Sequence, residues 1–422
     1  MNRSLKIVAF VLVTFFVISV ITGVMGPIFP SLKEDFQISN TVTSFFPFAF
    51  FIAYGVMSIP AGLMVERHGE KTMVSSALAI ATLGSLVFVQ FPSFSIAIIS
   101  LFCIGSAMAI LQVVINPLLR VAGGEEHYAF YSVLGQCLFA VGGIVAPQVY
   151  SNFVLSLSTK DDQNLVFSLL GDKVPEAMPW LSVYWLFAVL LMLLLVVLYF
   201  LKLPKVELKD DEKVASFELC LQLLKDKTVL LFFFGIMAYV GTEIGITTSI
   251  SLFLQQYHQF DPVTDGANAI TSFWSAMTVG CFVGLGLMKI ADSKKVLFIF
   301  TLAAIVSYLV AIFSKNQTTL FGYNLTIFSY SSTGFFLSVM YPAIFSLGLN
   351  SMKKHHGTVA GILCTGIVGG ALVPPMIGLI ADLSGSYRAG VLFVLIPLIY
   401  IAYLSLKAKP LVANKKIKIF ST

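Results

Sequence analysis

The sequence predicts an all-α polytopic membrane protein with twelve transmembrane helices in two pseudo-symmetric six-helix halves. The chain is 58% hydrophobic and has a mean hydropathy of +0.92, far above the values typical of soluble domains. Twelve apolar stretches are each long enough to cross a hydrocarbon layer about 30 Å thick, which takes about 20 helical residues. These stretches lack the two-residue alternation of barrel strands. A third observation, an internal repeat, divides the twelve into halves.

The first predicted span, 7–29, could be mistaken for a signal peptide. It is too long for the apolar region of such a peptide, and it ends at Gly26-Pro27 without a small-x-small cleavage site. We therefore interpret it as a membrane helix. The other predicted spans are 42–62, 72–91, 95–119, 128–154, 180–201, 228–254, 267–289, 295–313, 321–349, 358–380 and 388–406.

The basic residues are distributed unequally between the two sides of the membrane. If both ends of the chain share one side, 21 of the 26 Lys and Arg residues lie on that side. The positive-inside rule then places both termini in the cytoplasm. We expect a multi-pass protein of the plasma membrane, in a bacterium the inner membrane. The net charge of +5 is explained by this topology, and because the basic residues are scattered over six loops it does not predict a nucleic-acid partner. We expect a monomer in the lipid bilayer.

Three short motifs recur at an offset of about 225 residues. Together they predict two parallel halves, at 1–202 and 228–407, joined by a cytoplasmic linker at 203–227 and followed by a basic tail at 408–422. The paired motifs are Gly62-Leu63-Met64 with Gly286-Leu287-Met288, Asn116-Pro117 with Tyr341-Pro342, and Val141-Gly142-Gly143 with Val368-Gly369-Gly370.

Polar side chains at helical spacing mark candidate positions for a substrate. Amides and hydroxyls beside Trp and Tyr suit an uncharged polyhydroxyl ligand, because hydrogen bonds read its hydroxyl groups and aromatic faces cover its C–H faces. The alternative, hydrogen bonding between neighbouring helices, remains open for each of them. The candidate substrate-binding residues are Gln112, Asn116, Gln136, Tyr239, Glu243, Trp274 and Tyr341.

Glu243 is the only carboxylate that the predicted spans place well inside the membrane. A charged group there costs about 2.5–3.5 kcal/mol on insertion scales, and such residues usually mark a path for ions or protons. We therefore predict that Glu243 couples transport to H⁺ or Na⁺. In the alternative interpretation, the carboxyl group only connects two helices.

A charged hinge separates the second and third spans. It reads Gly62-Leu-Met-Val-Glu66-Arg67-His-Gly69-Glu-Lys71 and resembles the corresponding loop of the major facilitator superfamily. The resemblance implies the major facilitator fold and transport by alternating access, without covalent chemistry. The residues predicted to act in gating are Gly62, Glu66, Arg67, Arg120 and Asp382.

Further motifs are similar to the fucose/glucose/galactose permease branch of that superfamily. They include Tyr239-Val-Gly-Thr-Glu243, the segment from Tyr341 to Gly348, and Asn116-Pro117. The resemblance implies sugar uptake coupled to protons or sodium. Proton-coupled members of the branch carry an Asp late in the first span and a Glu before the Asn-Pro pair. This chain has Gly26 and Gln112 there, and Phe139 replaces an Asn in the fifth span.

Other functions remain as alternatives. The 38 Phe and 14 Met residues could line the adaptable cavity of an exporter of drugs or amphipathic metabolites. A solute sensor would need an output domain, which no loop provides. An enzyme is not expected, because the sequence lacks the usual hydrolase, Walker and metal-ligand motifs, and no cofactor or metal is predicted. The five cysteines are interpreted as small apolar side chains.

Overall fold

The computed structural model describes residues 4–124, 128–158, 173–204, 217–315, 318–320, 323–352 and 354–410. Within them the architecture is almost entirely helical. The α-helices are Leu5–Gly23, Met25–Asp35, Asn40–Thr43, Phe45–His68, Glu70–Gln90, Phe94–Gly123, Tyr128–Ser158, Ser182–Phe200, Phe217–Leu223, Lys227–His258, Asp265–Ile290, Ser293–Phe313, Leu325–Leu337, Met340–Asn350, His356–Thr365, Gly369–Ser384, Tyr387–Val391 and Leu395–Lys407. Short 3₁₀ turns at Pro179–Leu181, Gly366–Val368 and Leu392–Val394 join some of them.

Twelve helical stretches of the described residues are long and apolar enough to cross a membrane, as predicted. We number them span 1 to span 12: Leu5–Gly23, Asn40–Val65, Glu70–Gln90, Phe94–Gly123, Leu134–Leu157, Pro179–Phe200, Lys227–His258, Asp265–Met288, Ser293–Phe313, Leu325–Asn350, Thr358–Ser384 and Tyr387–Lys407.

Several predicted boundaries differ from the observed ones, and two of these differences reflect local structure. The first helix ends at Gly23 and a second helix, Met25–Asp35, continues beyond the predicted end at 29. Span 10 begins at Leu325 instead of 321, because Thr319–Leu320 pairs with Tyr323–Asn324 as a two-stranded antiparallel hairpin. The Asn324 side chain then accepts hydrogen bonds from the backbone N–H groups of the first helical turn, which fixes the start of the helix.

Local chemistry sets other helix ends in the same way. Asp226 caps the start of span 7 by accepting from Thr228 N at 2.6 Å, and Asp292 caps the start of span 9 by accepting from Lys294 N at 2.8 Å. Gly69 separates spans 2 and 3 with a φ of +78°, a conformation that side chains disfavour. Each of these three helix boundaries therefore has a residue type suited to it.

The twelve spans pack as two bundles, with spans 1–6 in one half and spans 7–12 in the other. The halves meet where span 5 packs against span 8, where span 2 packs against span 11, and where the helix Met25–Asp35 packs against span 7. Successive spans run in opposite directions, so the bundle has two ends. We call the end that contains Asn40 and Asp382 the clasp end, and the end that contains Gly69 the basic end.

Span 11 is interrupted near its middle, where the sequence has Gly366, Gly369 and Gly370. The 3₁₀ turn Gly366–Val368 joins two α-helices there. The glycines allow close approach to two different helices: a Cβ on Gly366 would lie 3.0 Å from the Phe233 carbonyl oxygen of span 7, and one on Gly370 would lie 2.8 Å from the Phe51 ring of span 2. Span 11 thus packs closely against both halves.

Candidate functional site

Glu243 lies half-buried in span 7 and shares a hydrogen bond with the hydroxyl group of Tyr239, one helical turn earlier. The Tyr239 ring lies 5.8 Å, centroid to centroid, from the ring of Tyr341 in span 10. Tyr341 in turn shares a hydrogen bond with the Cys364 thiol in span 11. The structure therefore brings three of the predicted residues, Tyr239, Glu243 and Tyr341, into one polar cluster that joins spans 7, 10 and 11.

This cluster can hold or release a proton on Glu243 with little rearrangement. The Tyr239 hydroxyl donates a hydrogen bond to the ionised carboxylate, and it can accept one from the protonated acid. A lone carboxylate would be costly at this depth, and the adjacent hydroxyl group compensates part of that cost. Spacing alone placed Tyr239 and Glu243 on one face of the helix, and the hydrogen bond agrees with that placement.

Trp274 of span 8 lies at the boundary between the halves. Its indole face covers Gly143 of span 5, so that a Cβ on Gly143 would lie 3.1 Å from Trp274 Cδ2. The side chain is only 8% exposed, and its Nε1–H makes no hydrogen bond to the described residues. A buried donor without an acceptor is costly. Trp274 therefore offers a free hydrogen-bond donor at the interface between the halves.

The other predicted substrate residues are less closely grouped. Gln136 of span 5 is exposed, and it lies seven residues before Gly143 and so on nearly the same face of the helix. Gln112 is half-buried in span 4. Asn116 lies in the helix Phe94–Gly123, and its side chain is outside the described part of the structure.

Two predicted gating residues, Gly62 and Arg67, lie near the basic end of span 2. Gly62 is half-buried and Arg67 is exposed. Glu66 lies in the same helix and Arg120 in the helix of span 4, and both side chains are outside the described part. The structure does not bring Gly62 and Arg67 to the polar cluster.

Asp382, the remaining gating candidate, joins the two halves at the clasp end. Its carboxylate accepts hydrogen bonds from the backbone N–H and side-chain amide of Asn40, at 3.2 and 2.8 Å. It also accepts from the backbone N–H and hydroxyl group of Thr41, at 2.8 and 2.6 Å. We call this four-bond contact between span 11 and the start of span 2 the clasp.

The Lys33 ammonium group lies near the clasp. Burial lowers the pKa of Lys33, and the negative charges of Asp382 and Glu34 act in the opposite direction. The two carboxylates therefore help to keep this lysine charged, and the lysine charge in turn stabilises the ionised form of Asp382.

Two further polar contacts tie the halves together near the clasp. Gln255 of span 7 donates to Glu34 at 2.8 Å. Gln148 of span 5 donates to Asn268 at 2.9 Å and to Thr271 at 3.0 Å, both in span 8. Sequence reasoning missed the clasp partners of Asp382 and the Gln148 contact with Asn268. The only sequence signal was that polar residues stand at the ends of apolar stretches.

The structure also gives a physical reason for the predicted departure at Gly26 from the branch that the sequence resembles. A Cβ at this position would lie 2.6 Å from the carbonyl oxygen of Thr247 in span 7. The position is occupied by the backbone of the other half, so a carboxylate cannot be placed there without moving span 7. In this chain, Glu243 is the available acidic group in the described interior of the spans.

Comparisons with known proteins agree with this architecture. Residues 11–367 match the Major Facilitator Superfamily. The chain is 30% identical over 400 residues to a protein of Brucella abortus biovar 1 named glucose/galactose transporter, covering 93% of this chain and 90% of that one. It is 23% identical over 389 residues to the L-fucose-proton symporter of Escherichia coli K12, covering 88% and 86%.

A solved structure shows the same fold. The crystal structure of the fucose:proton symporter of E. coli superposes with a TM-score of 0.65 at 21% identity, covering 95% of this chain and 98% of that one. The family match extends over most of the chain, and twelve spans in two halves are present in the described residues. The protein belongs to the major facilitator superfamily and is a transporter, not an enzyme.

Proposed function

We propose that this protein is a secondary active importer of a neutral sugar or a related small polar metabolite, with coupling to H⁺ or Na⁺ through Glu243. The observation that carries the proposal is the Tyr239–Glu243–Tyr341 cluster on spans 7 and 10. It places an acid, a hydroxyl group and aromatic faces together inside the bundle. The relatives named as a glucose/galactose transporter and an L-fucose-proton symporter support the sugar class and the use of protons.

The recognition chemistry suits a polyhydroxyl ligand. The free Nε1–H of Trp274 would donate to a sugar oxygen, and the exposed Gln136 amide would both donate and accept. The rings of Tyr239, Trp274 and Tyr341 would cover the C–H faces of the sugar. Gln112 and Asn116 of span 4 would complete the site from the first half.

The described contacts suggest how access alternates. The clasp and the ties Gln255–Glu34 and Gln148–Asn268 hold the clasp end together. We propose that this end faces outward, as the positive-inside distribution of basic residues indicates, and that the structure is inward-facing. Both termini would then be cytoplasmic in a bacterial inner membrane. Opening to the outside requires all three contacts to break.

The remaining gating candidates would act at the opposite end. We propose that Glu66 and Arg67 of the hinge, with Arg120 of span 4, hold the basic end closed when the clasp end is open. Gly62 would allow the hinge to approach its neighbour. In this arrangement the two ends are closed alternately by different polar contacts.

Glu243 would couple the sugar to the ion. Protonated, or with Na⁺ bound to its carboxylate, it carries no net charge and the loaded protein can change conformation. Ionised and empty, it would impose a charge in the interior during that change. Coupling follows because the conformational change costs more free energy when Glu243 is ionised and no substrate is bound.

Uptake into proteoliposomes that contain the purified protein would test this function. We expect labelled glucose, galactose or fucose to accumulate above the external concentration when an inward gradient of H⁺ or of Na⁺ is imposed. Uptake under only one gradient identifies the ion. Transport of amphipathic drugs without any sugar uptake would instead support the exporter function, which the named relatives do not favour.

A further inference from the structure

Span 5 and span 8 form an antiparallel pair across the boundary between the halves, and several contacts define their register. Gln148 Nε2 donates to Thr271 Oγ1 at 3.0 Å, and the Thr271 hydroxyl donates to the Ile144 carbonyl oxygen at 3.4 Å. One turn further toward the basic end, Trp274 covers Gly143. From the Gln148–Thr271 contact to the Gly143–Trp274 contact, the facing residue moves by five positions along span 5 and by three along span 8.

This register places two cysteines opposite each other. Cys137 precedes Gln148 by eleven residues, and Cys281 follows Asn268 and Thr271, the two partners of Gln148, by thirteen and ten residues. Eleven residues are about three helical turns, so Cys137 returns to nearly the face of Gln148, and Cys281, seven residues after Trp274, returns to nearly the face of Trp274. These steps lead about 15–20 Å toward the basic end. The thiols of Cys137 and Cys281 therefore face each other from opposite halves.

The surroundings of Cys281 show that it points into the bundle. Its thiol donates a weak hydrogen bond, 3.7 Å long, to the carbonyl oxygen of Ser338 in span 10. That carbonyl has no N–H partner four residues later, because residue 342 is a proline. Cys137 of span 5 and Glu243 of span 7 lie close enough to interact electrostatically with Cys281. Cys281 therefore has neighbours on spans 5, 7 and 10.

The two thiols are also accessible to small molecules. Cys281 is exposed and Cys137 is half-buried, and both are free. Because Cys281 has neighbours on spans 5, 7 and 10, we infer that its exposed surface borders the space between the halves. A small reagent that enters this space can reach the pair.

We propose that Cys137 and Cys281 form a redox-sensitive dithiol across the two halves, and that its oxidation to a disulfide arrests transport. The oxidant is a low-molecular-weight disulfide. A thiolate of one cysteine attacks it, forms a mixed disulfide and releases one small thiol; the second cysteine thiolate then displaces the other small thiol. The two cysteines lose two protons and two electrons, and the S–S bond of the reagent is reduced to two thiols.

The disulfide would act as a mechanical restraint. It holds the two Cα atoms within about 4.4–6.8 Å of each other. Alternating access requires the halves to rock against each other, which changes the separation of spans 5 and 8. A covalent bond between these spans fixes their separation, so the oxidised protein cannot complete the cycle.

Oxidation of the full-length protein in lipid nanodiscs tests the linkage without any transport assay. Glutathione disulfide is added, and peptides are mapped by mass spectrometry under non-reducing conditions. We expect a peptide linked through Cys137 and Cys281 that disappears after reduction and in Cys281→Ser. Cys103→Ser is the matched control and should leave the linkage unchanged. If the wild-type protein yields no such peptide at full exposure to the reagent, the proposal is wrong.

The predicted arrest of transport rests on the proposed sugar transport, and it is measured separately from the disulfide itself. In proteoliposomes, uptake by the wild-type protein should fall in proportion to the oxidised fraction and recover with dithiothreitol. Cys137→Ser should be insensitive to the reagent. A linked protein that transports at the full rate would overturn the restraint, whereas a protein that shows no uptake before oxidation would instead argue against the proposed function.

Discussion

Asp382 and Thr41 are joined by two hydrogen bonds, of 2.8 Å from the Thr41 backbone N–H and 2.6 Å from its hydroxyl group, although the residues lie 341 positions apart. One belongs to the end of span 11 and the other to the start of span 2. This contact therefore closes one end of the bundle through the two halves themselves. In the proposed transport cycle, the strength of this contact contributes to the balance between access states.

Asp382→Asn should weaken the clasp and shift the protein toward opening at the clasp end. The amide keeps the shape but loses the charge, and its NH₂ group cannot accept a bond from Thr41. Because the site is exposed, we expect a shift of about 1 kcal/mol, or about fivefold in the ratio of states. Labelling of a cysteine introduced at Thr271, in a background without the native cysteines, would measure the opening.

Asp265→Asn is the matched control for that measurement. Asp265 is half-buried and also accepts a hydrogen bond, but its partner is the backbone N–H of Asp261 in the same half. It should leave the labelling rate unchanged. Equal labelling in Asp382→Asn and the parent would contradict a gating role for the clasp.

Gly26→Ala should destabilise the protein. The added Cβ would meet the Thr247 carbonyl oxygen at 2.6 Å, so the helix Met25–Asp35 and span 7 must move apart. Overpacking of this kind costs about 1–3 kcal/mol, and thermal unfolding monitored by tryptophan fluorescence would detect it. Gly286→Ala provides the comparison, because no atom lies within 4 Å of a Cβ placed there. Equal melting temperatures for the two variants would show that Gly26 tolerates a side chain.

Trp274→Phe should weaken sugar binding while it retains an aromatic ring. The variant loses the Nε1–H donor, and a neutral hydrogen bond contributes about 0.5–1.5 kcal/mol. The dissociation constant should therefore rise about 2- to 12-fold, as measured by isothermal titration calorimetry. Trp185→Phe is a suitable control: its indole N–H is also buried without a partner among the described residues, but it lies in span 6. Unchanged affinity in Trp274→Phe would show that the Trp274 Nε1–H does not bind the sugar.

The sequence predicted the spans well, because hydropathy over about 20 residues reports directly on burial in lipid. It also predicted that Tyr239 and Glu243 share a helix face, which depends only on local periodicity. The break after Gly23 and the hairpin before Leu325 were missed, because apolar composition continues through or around both. Both errors concern local backbone geometry, which a hydropathy profile does not report.

Contacts between the halves were much harder to predict. The clasp joins Asn40 with Asp382 across 342 positions, and no helical period links them. The register of span 5 against span 8 depends on which small residues allow close approach, as Gly143 does beneath Trp274. Sequence identified Asp382 as a gating candidate, but it could not name the partners, because they are set by tertiary packing.

The most direct test of the account compares uphill uptake with counterflow in Glu243→Gln. Glutamine keeps the size of the side chain and its bond to Tyr239 but cannot exchange a proton or bind Na⁺ through a carboxylate. We predict that the variant exchanges labelled sugar by counterflow at a rate near that of the parent, yet does not accumulate sugar under an H⁺ or Na⁺ gradient. Accumulation equal to that of the parent would contradict the assignment of coupling to Glu243.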